Sequence, residues 1–270
     1  MSPMLHYFMD DVEVSREVPD PDDVVITGVR WGEPWALFTP AYWLSQLWMS
    51  GLDKQTSSRF RARGSLQEEI VFCMLGGNGV TAELATAAFE ACRNSELIIR
   101  LEASAAKWSE VLEEPMQVNG HLCRYRFPHQ KARYLAGAMA FLRTNTFSTG
   151  RGKELRDSLL KVKGIGPKTA GWIARNYLDT DEVAILDVHL VRAGLLCDLF
   201  SPSQRVQRDY FVMEARFIDF CHALNARPAI LDCLIWDQMR SSGAAALNAL
   251  RTKLSDGSPS VATGPEADWP

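Results

Sequence analysis

The sequence predicts a mainly α fold opened by a short N-terminal β-hairpin, and three observations carry that prediction. From Ser65 onward, apolar residues recur at helical spacing in ten stretches separated by short Gly, Pro, Asn or Asp punctuation. A β-rich run, Val24 to Trp31, precedes them and is followed by a turn signal. Hydrophobic residues make up 47% of the 270 positions, enough to bury a core as one large domain or as two small ones sharing a cleft.

Taken in order, residues 1–23 are acidic and turn-rich, ending in Pro19-Asp20-Pro21-Asp22, and read as an irregular lead-in. The run Val24 to Trp31, the turn Gly32-Glu33-Pro34 and the segment Trp35 to Phe38 together read as the hairpin. Thr39 then offers an N-cap and Pro40 a first helical residue for the aromatic segment Tyr42 to Met49. Four tryptophans fall within residues 31–48, and aromatics at such spacing are expected in a core. The expected helices are 66–76, 81–92, 95–106, 107–114, 129–144, 151–162, 168–178, 188–197, 206–224 and 228–240. The expected organisation is an acidic, aromatic extension over 1–64, a helical domain over 65–254, and a polar, Pro/Gly-rich disordered tail over 255–270.

No window approaches the length of apolar sequence that spans a membrane, and the first residues lack the basic start and apolar run of a secretory signal. A cytoplasmic protein with no membrane partner is therefore expected. The six cysteines are scattered with no C-x-x-C, so buried reduced thiols are expected rather than a zinc or iron–sulfur site. The net charge of −4 hides an asymmetry: residues 120–176 hold twelve Arg or Lys against Glu154 and Asp157, whereas residues 1–60 hold nine acids against four bases. A basic middle is what a surface tracking phosphates requires, and an acidic arm offers a surface for a protein partner.

The segment Leu155 to Gly194 is the most informative. Two amphipathic stretches flank Lys163-Gly164-Ile165-Gly166-Pro167-Lys168. Gly164 and Gly166 permit a tight turn that approaches another backbone closely, Ile165 can plug the space between the helices, and Pro167 starts the next helix, whose free N–H groups suit a phosphate. This is the sequence form of a helix-hairpin-helix, a device that non-enzymatic DNA-binding proteins also use. Lys168 follows at once, near Lys161, Lys163 and Arg175, and a lysine there either contacts phosphate or supplies a free amine to attack a sugar C1′. Val183 to Leu186 is a short apolar run that delivers Asp187 to the start of another helix. An aspartate there caps the helix. Nineteen residues after Lys168, it also stands where a carboxylate could reach the same cleft and stabilise positive charge on a sugar as its base departs.

At this point the chain resembles the helix-hairpin-helix superfamily of DNA base-excision glycosylases, on Val162 to Gly171 followed by Ile185-Leu186-Asp187-Val188-His189. The resemblance implies two helical subdomains around a cleft. It also implies that Lys168 and Asp187 are catalytic, and that a lysine at this position confers AP lyase (β-elimination) activity on top of base removal. The four-cysteine iron–sulfur loop of the endonuclease III type is missing, so the 8-oxoguanine DNA glycosylase branch, in its archaeal type, is the better match. Glu69 to Asn78 resembles the segment that reaches DNA opposite the flipped base, with Asn78 as the minor-groove wedge. Phe127 to Tyr134 resembles a helix start that places Lys131 and Arg133 on DNA. By the same resemblance Trp172 and Trp236 would sandwich the base, Asp232 would bond its edge, and His189 would lie near the target phosphate beside Lys163, Gly164 and Gly166. Two aromatic faces and one acceptor suit a flipped purine whose oxidised form gains an N7–H donor.

The partner so implied is double-stranded DNA with a damaged base. No cofactor is implied beyond a monovalent cation, Na+ or K+, held by backbone carbonyls of Val162 and Ile165. Two other readings stay open at this level. One is a catalytically silent module that binds a modified (deaza)guanine or a protein partner, in the setting of bacterial phage defence, which the acidic N-terminal segment favours. The other is an oxidised-pyrimidine glycosylase of the endonuclease III kind.

Overall fold

The first strands form because two consecutive aspartates accept left-handed backbone. In the computed structural model, which describes residues 2–54, 64–77 and 79–256, Asp10 and Asp11 have φ of 50° and 61°. They join β1 (Met4–Met9) to antiparallel β2 (Val12–Glu17) in register from Met4 opposite Glu17 to Met9 opposite Val12. Positive φ at both central residues is what a two-residue hairpin turn needs, and Asp tolerates it. The lead-in is thus a hairpin rather than irregular chain.

The second hairpin also differs from expectation. The run Val24 to Trp31 folds back on itself at Thr27-Gly28, so that β3 (Val24–Ile26) pairs with β4 (Val29–Arg30). Trp35 to Phe38 forms turns, closed by Ala36 N–H to Glu33 C=O at 3.0 Å. Consequently Trp35 is 71% exposed and not a core residue, whereas Trp31 and Trp43 are buried and Trp48 is half-buried. Thr39 caps α1 (Pro40–Met49) as its sequence indicates, accepting from Tyr42 N–H at 3.1 Å, and a 3-10 turn, Leu52–Lys54, follows.

Contacts divide the chain into two units, Met1–Ser58 together with Ala184–Pro270, and Arg59–Val183. Within the second, α2 (Leu66–Leu75) starts on a capping box between Ser65 and Glu68. Next come α3 (Ala82–Asn94) and α4 (Ala105–Glu113). The helix expected over 95–106 is absent because Glu96 (φ 57°) and Leu101 (φ 46°) turn left-handed and break it. An unforeseen hairpin, β5 (Met116–Val118) with β6 (His121–Cys123), turns at Asn119-Gly120, both at positive φ. The long α5 (Pro128–Thr144) leads to α6 (Gly152–Leu159) and α7 (Pro167–Leu178). This unit's core gathers Ile70, Leu75, Trp108, Leu135, Met139 and Leu155, all essentially inaccessible.

The chain then returns to the first unit with α8 (Val188–Leu196), α9 (Val206–Ala223) and α10 (Pro228–Asp256). The last runs past the expected end near 240, kinking at Gly243, and includes Ser255; residues 257–270 of the expected tail lie outside the described residues. Phe38, Trp43 and Leu47 of the N-terminal segment are fully buried with Phe217 and Phe220 of α9 in one apolar cluster. Each side chain of that size contributes about 1.5–3 kcal/mol by leaving water. Tyr42 O–H to Gln238 Oε1, 3.0 Å, ties α1 to α10. Four of the six cysteines are buried, with Cys123 and Cys233 half-buried, and none of the six is joined in a disulfide. Among the described residues no helix is long and apolar enough to cross a membrane.

Candidate active site

Sequence dictates the turn between α6 and α7. Leu160 ends α6, Val162 N–H bonds Leu159 C=O at 3.0 Å, and Ile165 N–H bonds Val162 C=O at 3.1 Å. Val162 and Ile165 are buried in the core of this unit, so the plug expected of Ile165 is in place. The two glycines play different parts. Gly164 has φ of +92°, and a Cβ there would stand 2.5 Å from Cγ of Tyr134, so both backbone and packing demand glycine. Gly166, with φ of −93°, caps α7 and has open space around its Cβ position. Pro167 is the first residue of α7, and no side chain caps this helix end. Its free N–H groups and dipole therefore face outward, flanked by exposed Lys161 and Lys163.

Lys168 lies in the first turn of α7, half-buried, and among the described residues its ammonium donates no hydrogen bond and has no ion-pair partner. Its charge reaches Lys131, whose own pKa is pushed from 10.5 to about 8, first by burial and then by Lys168. Lys131 and Arg133 are separated by the structure. Arg133 is exposed, while the Lys131 ammonium turns inward to the C-terminal carbonyls of α2, donating to Met74 C=O and, at 3.0 Å, to Gly76 C=O. A cation there satisfies orphan carbonyls and the negative end of the helix dipole.

Trp172 stands one turn beyond Lys168, packed edge-on to Phe72 with ring centroids 6.0 Å apart. Its indole also lies over Gly76, where a Cβ would come within 3.0 Å of the ring. Two turns beyond Lys168, Arg175 is buried rather than a free cation: its Nε and Nη2 donate to Asn176 Oδ1 at 3.2 and 3.1 Å. Asn176 in turn donates to the buried carboxylate of Glu69 at 2.7 Å, and Cys73 donates its thiol to the same oxygen. Burial, followed by the Glu69 charge, raises the Cys73 thiol well above its ordinary value. These contacts lock α7 onto α2. Asn78 lies outside the described residues.

In the other unit Asp187 is the N-cap of α8. Its Oδ1 accepts from His189 N–H and Leu190 N–H, both at 2.9 Å, leaving Oδ2 outside the cap. His189 meets Trp236 edge to face at 6.2 Å, and the Arg240 guanidinium lies 5.0 Å from the Trp236 ring centre. Asp232, one turn before Trp236 on α10, is buried at 5% exposure. The backbone before Asp187 has no regular structure and takes its partners from α9. Tyr210 O–H donates to Ala184 C=O at 2.9 Å and accepts from Leu186 N–H at 3.3 Å, and Glu214 accepts from Ala184 N–H at 3.1 Å. Sequence reasoning misses Tyr210 and Glu214; the one signal they leave is an acid on the otherwise apolar stripe Tyr210, Met213, Phe217.

Comparison with known proteins bears on this arrangement. A curated relative from Metallosphaera sedula, an 8-oxoguanine DNA glycosylase/AP lyase, is 34% identical over 119 residues, which cover 42% of this chain and 57% of the relative's length. The crystal structure of the 8-oxoguanine DNA glycosylase of Thermotoga maritima shares the fold at a TM-score of 0.52 and 21% identity, covering 72% of this chain and 92% of that one. Residues 54–226, which hold the turn, Lys168 and Asp187, match the model of the Ogg-HhH family, described as 8-oxoguanine DNA glycosylase, and the chain belongs to that family.

Proposed function

We propose that the chain is a bifunctional DNA glycosylase that removes 8-oxoguanine from duplex DNA and cuts the strand as an AP lyase, with Lys168 as nucleophile. The observation that carries this reading is Lys168 itself: an amine in the first turn of α7, directly after the hairpin turn, with no partner among the described residues to occupy it. The M. sedula relative's name, 8-oxoguanine DNA glycosylase/AP lyase, supports the same chemistry.

The amine lone pair forms a bond to C1′ as the C1′–N9 bond breaks, and the departing pair leaves with the base, which takes up a proton. The nitrogen, having given one proton to the departing base, then forms C1′=N as the C1′–O4′ bond breaks and O4′ takes up a proton, which gives the protonated Schiff base. Removal of a C2′ proton then expels the 3′-phosphate and nicks the strand. Asp187 Oδ2, outside the cap, stabilises the positive charge that develops on the sugar. Trp172 and Trp236 offer aromatic faces to the flipped base, and Asp232 an acceptor. Exposed Lys163, Arg133 and the uncapped start of α7 at Gly166 suit phosphates, with His189 close to the Asp187 cap. The turn fits a monovalent cation at carbonyls: that of Val162 accepts from Ile165 N–H, and a carbonyl has a second lone pair. Among the described residues no group of three or more His, Cys, Asp or Glu is placed to hold a metal.

Borohydride trapping on duplex DNA with a single 8-oxoguanine tests the reading. A covalent adduct is expected with the native chain, none with Lys168→Gln, and slowed base release with Asp187→Asn. No adduct, and no cleavage of a preformed abasic site, would overturn it.

A further inference from the structure

We infer that Tyr210 and Glu214 are positioning residues for Asp187, a role that rests on the proposed glycosylase chemistry. Residues 183–187 form neither helix nor strand, yet Val183, Ala184 and Leu186 are buried almost completely. Buried backbone groups in such a segment need partners from elsewhere. Three of them are met by two side chains one turn apart on α9: Tyr210 O–H holds Ala184 C=O and Leu186 N–H, and Glu214 holds Ala184 N–H. Both side chains are themselves buried, at 4% and 3% exposure. On its far side Asp187 is fixed by the first amides of α8 through Oδ1.

The carboxylate is therefore gripped from two directions. The α8 amides set its rotamer, and the α9 pair sets the backbone from which it springs. Relaxing the second grip leaves the cap intact but lets Oδ2 drift relative to the sugar it must stabilise. Because electrostatic stabilisation depends on placement to within an ångström, such drift should slow base departure. It should spare reaction at a site whose base has already gone, since no charge of departure then needs support.

The test compares the native chain with Tyr210→Phe, Glu214→Leu and Glu214→Gln. Single-turnover release of 8-oxoguanine from duplex DNA is expected to fall about 10- to 100-fold in Tyr210→Phe and Glu214→Leu. Borohydride trapping on duplex carrying a preformed abasic site, and affinity for that duplex, stay at native levels. Glu214→Gln keeps an acceptor oxygen for Ala184 N–H and restores most of the rate. Undiminished base release in Tyr210→Phe, or a fall matched equally in trapping and affinity, overturns the inference.

Amide hydrogen exchange reads the same clamp without any turnover. Tyr210→Phe should speed exchange at Leu186, and Glu214→Leu at Ala184; native protection at both overturns the clamp. A native chain inactive on both DNA substrates refutes the glycosylase reading instead, and the exchange result then judges the clamp alone.

Discussion

Replacing Gly164 with alanine separates what the hairpin turn needs for folding from the DNA contact proposed for it. At φ of +92° an alanine pays a left-handed backbone cost of about 1–2 kcal/mol. Its Cβ would also stand 2.5, 2.8 and 2.9 Å from Cγ, Cδ1 and Cδ2 of Tyr134, atoms of a rigid ring that cannot bend away locally. Overpacking of this kind adds about 1–3 kcal/mol, for a total of about 2–5 kcal/mol. In a chain of this size that lowers the melting temperature by roughly 4–20 °C. Gly166→Ala is the internal control, because nothing lies within 4 Å of its Cβ position and its φ of −93° suits any residue. There the poorer N-capping of alanine, about 0.5–1 kcal/mol, is offset by a similar loss of unfolded-state entropy. Thermal unfolding followed by circular dichroism measures both variants. Gly166→Ala should melt with the native chain but bind duplex DNA more weakly, since a methyl group now stands where a phosphate would approach. A Gly164→Ala melting temperature equal to the native one, or equal losses at both positions, refutes the reasoning.

Three further outcomes are expected. Gly76→Ala should displace the Trp172 indole, which a Cβ would meet at 3.0 Å, and raise the concentration of 8-oxoguanine duplex needed for half-maximal single-turnover base release, with abasic-site trapping unchanged; an unaltered concentration dependence argues against Trp172 as a wall of the base site. In native alkylation near pH 8, Cys123 and Cys233 should react first, while Cys92 and Cys197, both pushed up to about 12 by burial, and Cys73, raised by burial and Glu69, stay protonated and slow; mass mapping of the modified thiols checks this order. The folded-state pKa of Lys131 lies near 8 and the ordinary lysine value at 10.5, so the unfolded chain binds the extra proton between those limits and stability from this group rises with pH across them. Subtracting the melting profile of Lys131→Met from the native one should leave that rise, and a flat difference from pH 8 to about 10.5 would contradict it.

Local chemistry is legible in the chain itself. Thr39 with Pro40 and Gly166 with Pro167 mark helix starts through neighbours within four residues, and both starts stand where those signals place them. The glycine turn, Lys168 and the Asp187 cap all lie within residues 54–226, the stretch that matches the family, and the turn and the cap are each specified by short segments. The two unexpected hairpins at Asp10-Asp11 and Asn119-Gly120 are also local, and the turn residues themselves are the signal that announces them.

What sequence does not settle are the properties fixed by partners distant along the chain. Trp35 and Trp43 sit in one aromatic cluster of the sequence, yet one is exposed and the other inaccessible, because only Trp43 meets the core shared with α9. Lys131 and Arg133 share a basic motif, yet the end of α2 draws the first inward and leaves the second in solvent. Arg175 reads as one more cation near Lys168, but Asn176 and Glu69 bury it, and Tyr210 and Glu214 read as ordinary helix residues although the 184–186 backbone depends on them. Periodicity and capping are decided by neighbours a turn away, and so they are written in the sequence. Burial and the partner of a polar group are decided by whichever segment folds against it, and only the tertiary structure supplies that segment.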